Sequence, residues 1–366
     1  MVNNWKPTHL SPVQETLEEV KKTLRAHFEI VDWQGVEILL AIACAHYISG
    51  EMLWVRFLGP SRSGKTELLR AICMSPDCAE LEVFTPASIR GGYKKGPKVL
   101  ELIKGKLVIT KDAAALLTSR SEVKSEIFGL LRNVKDGKLT ADFGSDEGHL
   151  VQDVNFDWIL AATSAAIEQQ RTMEGLLGQR FIDLRWIPGN REDMAYRAAL
   201  NNEYLNIIRA TLARDVLSLM YRAKEEAESE DYKLTDDDMH RIARVADVTA
   251  MLRTPIQEDR HGHLLGTPEL EVGTDLSQGF SRVAKGLHCI GFTDCHAHIK
   301  RLAWDCIPPM RVSLLSHLGQ NPSTVEELTK LTNIPKRTVY YHLEQCKLLK
   351  AIKDVGGIKT IMMELP

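Results

Sequence analysis

The sequence predicts an α/β fold: a three-layer core around a mostly parallel sheet, then a helical region, then a small C-terminal domain of helices and a hairpin. Three observations carry this. Short apolar runs alternate with helical patterns between residues 51 and 188, as in strand–helix–strand units whose crossovers cover both faces of a sheet. A turn rich in glycine and serine at 59–64 separates the first apolar run from the first helix of that region. Beyond Pro308-Pro309 the pattern changes to three short helices and two strands around Gly356-Gly357.

Taken in order, residues 12–28 form an amphipathic helix with Leu17, Val20, Leu24 and Phe28 on one face, and residues 33–48 form a second, mostly apolar helix. Strands are expected at 53–58, 81–84, 107–110, 158–163 and 181–186, with helices between them. Residues 193–223 read as one long amphipathic region, 225–231 as an acidic solvated loop, and 236–251 as a helix. Residues 255–275 lack periodicity, and 276–289 and 296–304 are helical. In the last segment, helices at 311–318 and 336–345 flank one opened by a capping box at Ser323-Thr324-Val325-Glu326, and strands follow at 348–353 and 359–363. That order is a winged helix-turn-helix. The expected division is therefore 1–50, N-terminal helices packed on the core; 51–190, the core; 191–307, a helical lid with connecting helices; and 308–366, the winged helix.

Bulk properties narrow the function classes. A net charge of −3 gives no global basic field, so nucleic-acid contacts must come from local patches. The segment Met1–Lys6 lacks the apolar core of a signal peptide, and the longest apolar stretch, 36–48, is too short to span a bilayer. A cytoplasmic location without a membrane partner is expected. Seven cysteines without framework spacing are expected to be reduced thiols. The metal-capable cluster His288, Cys289, Cys295, His296, His298 and Cys306 has no paired spacing, so buried thiols and imidazoles are favoured over a zinc site.

Gly59-Pro60-Ser61-Arg62-Ser63-Gly64-Lys65-Thr66 fits the phosphate-binding pattern G-x-x-x-x-G-K-[ST] at every fixed position, and Glu67 follows it. The context fits too, with an apolar strand before it and a helix after. The glycines let backbone N–H groups turn around a phosphate, and the helix N-terminus adds partial positive charge. Lys65 is placed to reach β/γ oxygens and Thr66 to offer a hydroxyl to Mg²⁺, so ATP and Mg²⁺ are the expected ligands.

Downstream, a helix running to Asn133-Val134-Lys135-Asp136-Gly137 leads into a hairpin around Gly144-Ser145-Asp146-Glu147-Gly148. Trp158-Ile159-Leu160-Ala161-Ala162-Thr163-Ser164 and Gly178-Gln179-Arg180-Phe181 come next. In this order the segments over about 50–255 resemble the AAA+ ATPases, in particular the branch with a β-hairpin before the sensor-1 strand, which includes MCM-type helicases and bacterial enhancer-binding activators. The resemblance implies roles by position. Thr163 or Ser164 is sensor 1, and Arg180 is the arginine finger reaching the neighbouring subunit's γ-phosphate. Arg253 is sensor 2, with Arg244 and Arg241 as rivals. Walker B departs from the family pattern: Leu107-Val108-Ile109-Thr110 runs into Lys111-Asp112-Ala113, leaving Asp112 as Mg²⁺ ligand or base where the family has two carboxylates. Glu67 or Glu82 is a candidate substitute. The resemblance further implies an ATP-dependent DNA helicase or translocase in replication of a mobile element, assembled as a hexameric homo-oligomeric ring. An ATP-switched initiator, loader or regulator with slow hydrolysis is the alternative.

DNA-contact candidates fall in two places. Arg90, Lys94, Lys95 and Lys98 surround glycines and Tyr93 between the second and third strands, and Lys138 opens the hairpin, whose tip is acidic. In the winged helix, Lys336, Arg337, Tyr340 and Tyr341 lie on the third helix and Lys350, Lys353 and Lys359 flank the wing. From Met310 on there are eight Lys/Arg against five Asp/Glu in a chain that is acidic overall.

Overall fold

A computed structural model describes residues 10–82, 84–90, 99–117, 119–142, 149–168, 180–229, 233–256, 259, 264, 266, 268–363 and 365–366. The protein is α/β, and the chain divides into two compact units, Met1–Leu234 with Arg282–Cys295 and Thr235–Ser281 with His296–Pro366. Among the described residues no helix is long and apolar enough to cross a membrane.

The first unit is built on five parallel strands: β1 (Trp54–Leu58), β2 (Cys78–Glu80), β3 (Leu107–Thr110), β6 (Asp157–Ala162) and β7 (Ile182–Arg185), in the order β2-β3-β6-β1-β7. A separate antiparallel hairpin, β4 (Lys138–Asp142) with β5 (His149–Asp153), is inserted between β3 and β6. β1, β3 and β6 are buried along their whole length, as strands covered on both faces must be. Trp54, Leu58, Val108, Trp158, Leu160 and Ala162 share one cluster with Ile89, Leu100, Ile127, Leu131 and Ile167 from the crossover helices. Right-handed crossovers require the helix Lys65–Cys73, which leads from β1 out to edge strand β2, to lie on the opposite face.

The strands begin and end within a few residues of expectation, except that β2 lies upstream of 81–84. Beyond β2, Leu81 still bonds across to β3 (N to Ile109 O, 3.0 Å), and Phe84 joins the core cluster. The region 193–223 is two helices, Arg191–Leu200 and Leu205–Glu228, separated by a 3₁₀ turn at Asn202–Tyr204. The second helix absorbs Glu225–Glu228 of the expected acidic loop, because its buried stripe continues through Ala223 and Ala227. It packs along Pro12–His27 and Lys65–Cys73, all within the first unit.

At the N-terminal end of the sheet, Asp157 accepts from Leu53 N (2.6 Å) and from both terminal nitrogens of Arg282 (2.8 and 3.0 Å), and contacts His46 Nδ1 at 2.9 Å. Burial pushes the Asp157 carboxyl up, but the His46 hydrogen bond and the Arg282 charge outweigh it and hold the group below the usual carboxylate range.

In the second unit, helices Pro309–Gln320, Val325–Thr332 and Lys336–Leu348 precede a hairpin of β8 (Ile352–Val355) and β9 (Ile358–Ile361). Its two-residue turn, Gly356-Gly357, has φ of 61° and 88°, values that favour glycine. The capping box uses Thr324 and Glu327, one residue later than expected. Leu252 and Ile307 share a core with Leu314, Leu318, Leu343 and Ile352, and buried Arg311 donates to Leu252 O (2.7 Å) and Thr254 O (2.9 Å).

Candidate nucleotide-binding site

The interior strand β1 delivers the loop 59–66 to the C-terminal edge of the sheet, between β6 and β7. The connection leaving β1 runs towards β2 and the one leaving its neighbour β6 runs the other way, to β7, which leaves a crevice outside the strand ends. Both neighbours grip the loop's start. Gly59 N donates to Ala162 O of β6 (3.2 Å), and Trp186 N, just past β7, donates to Leu58 O (2.6 Å). The Trp186 indole nitrogen donates to Ser63 O at 2.8 Å. A Cβ on Gly59 would stand 2.9 Å from Trp186 Cβ, so only glycine fits beneath that brace.

Arg62 and Gly64 have φ of 60° and 89° on either side of Ser63. Such reversals belong to loops that cup anions with backbone N–H groups. Lys65 opens the helix Lys65–Cys73 and is buried, with Nζ 2.6 Å from both Gly59 O and Pro60 O and 3.5 Å from Ser63 Oγ. Burial pushes its pKa down to about 8, while the Asp112 charge acts in the opposite direction. The donor set therefore suits a phosphate: a desolvated ammonium inside a loop that bends around it, with the Thr66 hydroxyl exposed beside it.

Asp112 lies just beyond β3 and is exposed, and its Oδ1 accepts from Ala114 N at 2.9 Å, capping a short helix. Ala113 N bonds to Ala161 O at 2.9 Å, which ties this turn to β6. Lys111 pairs with Glu80 (2.5 Å), and Thr110 Oγ1 donates to Leu81 O (2.6 Å). Thr163 directly follows Ala162, the residue that receives Gly59 N, and its Oγ1 accepts from Ala166 N at 3.3 Å. The loop, Asp112 and Thr163 thus gather at one edge of the sheet. Glu82 is exposed, and Glu67 is engaged by Arg209.

One other expected site residue of the first unit, Arg180, lies elsewhere. The register Val55↔Ile182 sets Arg180 abreast of Leu53, at the end of the sheet away from the loop of its own chain, and it pairs with Asp136 at 3.2 Å. Arg253 belongs to the second unit, where it is buried and held by two hydrogen bonds to Glu271. Its rivals Arg241 and Arg244 are exposed, the former paired with Asp237 at 2.6 Å. Sequence reasoning missed the Trp186 brace and the Arg209–Glu67 pair. The latter joins residues 142 positions apart, so no local spacing signals it.

Of the DNA-contact candidates, Lys336, Arg337, Tyr340, Lys350 and Lys353 are exposed and Tyr341 is half-buried. Lys336 pairs with Glu326 at 2.5 Å. Lys359 is a correction: it is buried and ion-paired with Asp354, because it lies on the inward face of β9. Lys94, Lys95, Lys98 and the hairpin tip lie outside the described residues, as do the side chains of Arg90 and Lys138. Among the described residues no group of three metal-capable side chains converges. No protein-family model matches the chain, and no curated protein matches its sequence.

Proposed function

We propose that the protein is an AAA+ ATPase that acts on DNA as a helicase or translocase, working as a ring-shaped homo-oligomer. The observation that carries the reading is the loop 59–66 at the C-terminal end of the interior strand β1, with buried Lys65 at its end. The inserted hairpin between β3 and β6 and the cation-bearing helix Lys336–Leu348 support the family and the DNA partner respectively. Backbone N–H groups of the loop and Lys65 bind the triphosphate of ATP. Thr66 and Asp112 are the residues that would hold Mg²⁺, which neutralises charge on the β- and γ-oxygens when bound. Thr163 orients the attacking water, and Arg180 serves the site of a neighbouring copy, consistent with its distance from its own loop.

A second reading, an ATP-switched initiator or loader that hydrolyses slowly, is favoured by one observation. Asp112 stands where the family has two carboxylates, and it already caps a helix.

ATP turnover without DNA, with single-stranded DNA and with duplex DNA decides between them. Lys65→Ala is expected to lower turnover about 100-fold, the scale of losing a main electrostatic donor. Stimulation by DNA that disappears in Arg180→Ala supports the motor. Tight ATP binding with negligible turnover in all three conditions rejects the motor and leaves the switch.

A further inference from the structure

Glu67 follows Thr66 in the first turn of the helix Lys65–Cys73, and its carboxylate is locked to Arg209. Arg209 Nε donates to Oε2 at 2.7 Å and Nη2 to Oε1 at 2.6 Å, the two-pronged geometry that only a guanidinium supplies. Arg70 Nε stands 3.7 Å from the same carboxylate. Arg209 comes from the helix Leu205–Glu228, which packs along both Lys65–Cys73 and Pro12–His27.

The placement of Glu67 is a conflict written into the sequence. An acidic residue in a first turn stabilises the helix itself. A polyanion bound at that same helix N-terminus is repelled by it. Protonation offers no escape, because the hydrogen bonds from Arg209, with the nearby positive charges, hold the Glu67 carboxyl below the usual carboxylate range. Neutralisation must come from a fixed partner, and Arg209 is built as one.

We propose that Arg209 is a positioning residue that shields the phosphate loop from Glu67, so that nucleotide affinity depends on an arginine acting through another side chain. This rests on the ATP-binding reading above. The helix Leu205–Glu228 thereby becomes part of the nucleotide site electrostatically, and a shift of that helix would expose the loop to an uncompensated carboxylate.

The test is a double-mutant cycle in the full chain, read as ATP affinity by titration calorimetry at low and moderate salt, with circular dichroism as the check on folding. Arg209→Ala is expected to weaken binding about tenfold, a loss that shrinks as salt rises. Glu67→Gln binds at least as tightly as the wild type, and Arg209→Ala with Glu67→Gln returns to within about twofold of it. Arg209→Lys, which keeps the charge and loses the fork, falls between and serves should the alanine variant not fold. Unchanged affinity in Arg209→Ala overturns the shield. So does a double variant as weak as Arg209→Ala, since Arg209 would then act on the nucleotide directly. If the wild type binds no ATP, or Lys65→Ala binds it equally well, the reading of the loop itself fails and the shield with it.

Discussion

Lys65 shows how one side chain carries both local structure and a measurable consequence. Its ammonium is folded onto the carbonyls of Gly59 and Pro60 and largely removed from water, which lowers its pKa to about 8. A bound triphosphate favours the charged form and must raise that value again. Above pH 8 the free protein has begun to lose the Lys65 proton while the complex retains it, so binding takes up a proton and affinity falls as pH rises. Calorimetry in buffers of different ionisation heat should show little uptake at about pH 7.5 and close to one proton per site near pH 9. Uptake that stays at zero across this range would show that Lys65 does not face the phosphates. The loop was legible because its motif is contiguous and its residue types are fixed by geometry. Trp186 and Arg209 were not, since each acts across the fold on a segment remote in sequence.

Elements were legible wherever period and flanking residues agreed. The two helices at the N-terminus start at residues that cap them, Ser11 and Asp32, and the second helix is mostly apolar because most of its residues are buried. Boundaries slipped where tertiary packing decided the outcome, as when Ala223 and Ala227 carried a helix into an acidic tract. The spaces between helices cannot be read from one sequence, and two glycines make the point. In the helix Thr274–Cys289, a Cβ on Gly286 would lie 2.2 Å from Ala41 O and 3.2 Å from Ala45 Cβ, so two helices meet there backbone to backbone. In Ser121–Lys135, a Cβ on Gly129 meets nothing within 4 Å. Glycine-to-alanine exchange favours a helix by about 1 kcal/mol in the absence of other effects. At Gly129 that gain should appear as a stabilisation of up to about 1 kcal/mol. At Gly286 the overpacking cost of about 1–3 kcal/mol opposes it, and a clash with a backbone carbonyl cannot be relieved by a rotamer change, so net destabilisation is expected. Urea midpoints of the two variants should therefore move in opposite directions, and a shared direction would contradict this packing.

At the scale of the whole molecule, a proline pair and a change in periodicity mark a boundary at 308 in the sequence, while apolar packing continues across that position. The second unit buries Leu252 and Ile307 in the same core as Leu314, Leu343 and Ile352. It also places the Arg311 guanidinium against two carbonyls at the end of the helix Asp236–Arg253. Cutting the chain before residue 308 removes those apolar partners and strands a buried cation at once. Loss of a buried leucine alone typically costs about 2–5 kcal/mol, and an uncompensated buried charge costs a comparable amount. A segment of this size has little stability to spare. The isolated segment 308–366 should accordingly be mostly unfolded at room temperature, with poor amide dispersion and no sharp thermal transition, although its helices and hairpin are well formed in the intact chain. A cooperative melt of that fragment at the temperature of the full-length protein would restore the boundary at the prolines. The proposed duplex binding by Lys336, Arg337, Tyr340, Lys350 and Lys353 is therefore tested in the intact chain, where the loss of one exposed cation should weaken binding uniformly across sequences and lower the salt slope by about one.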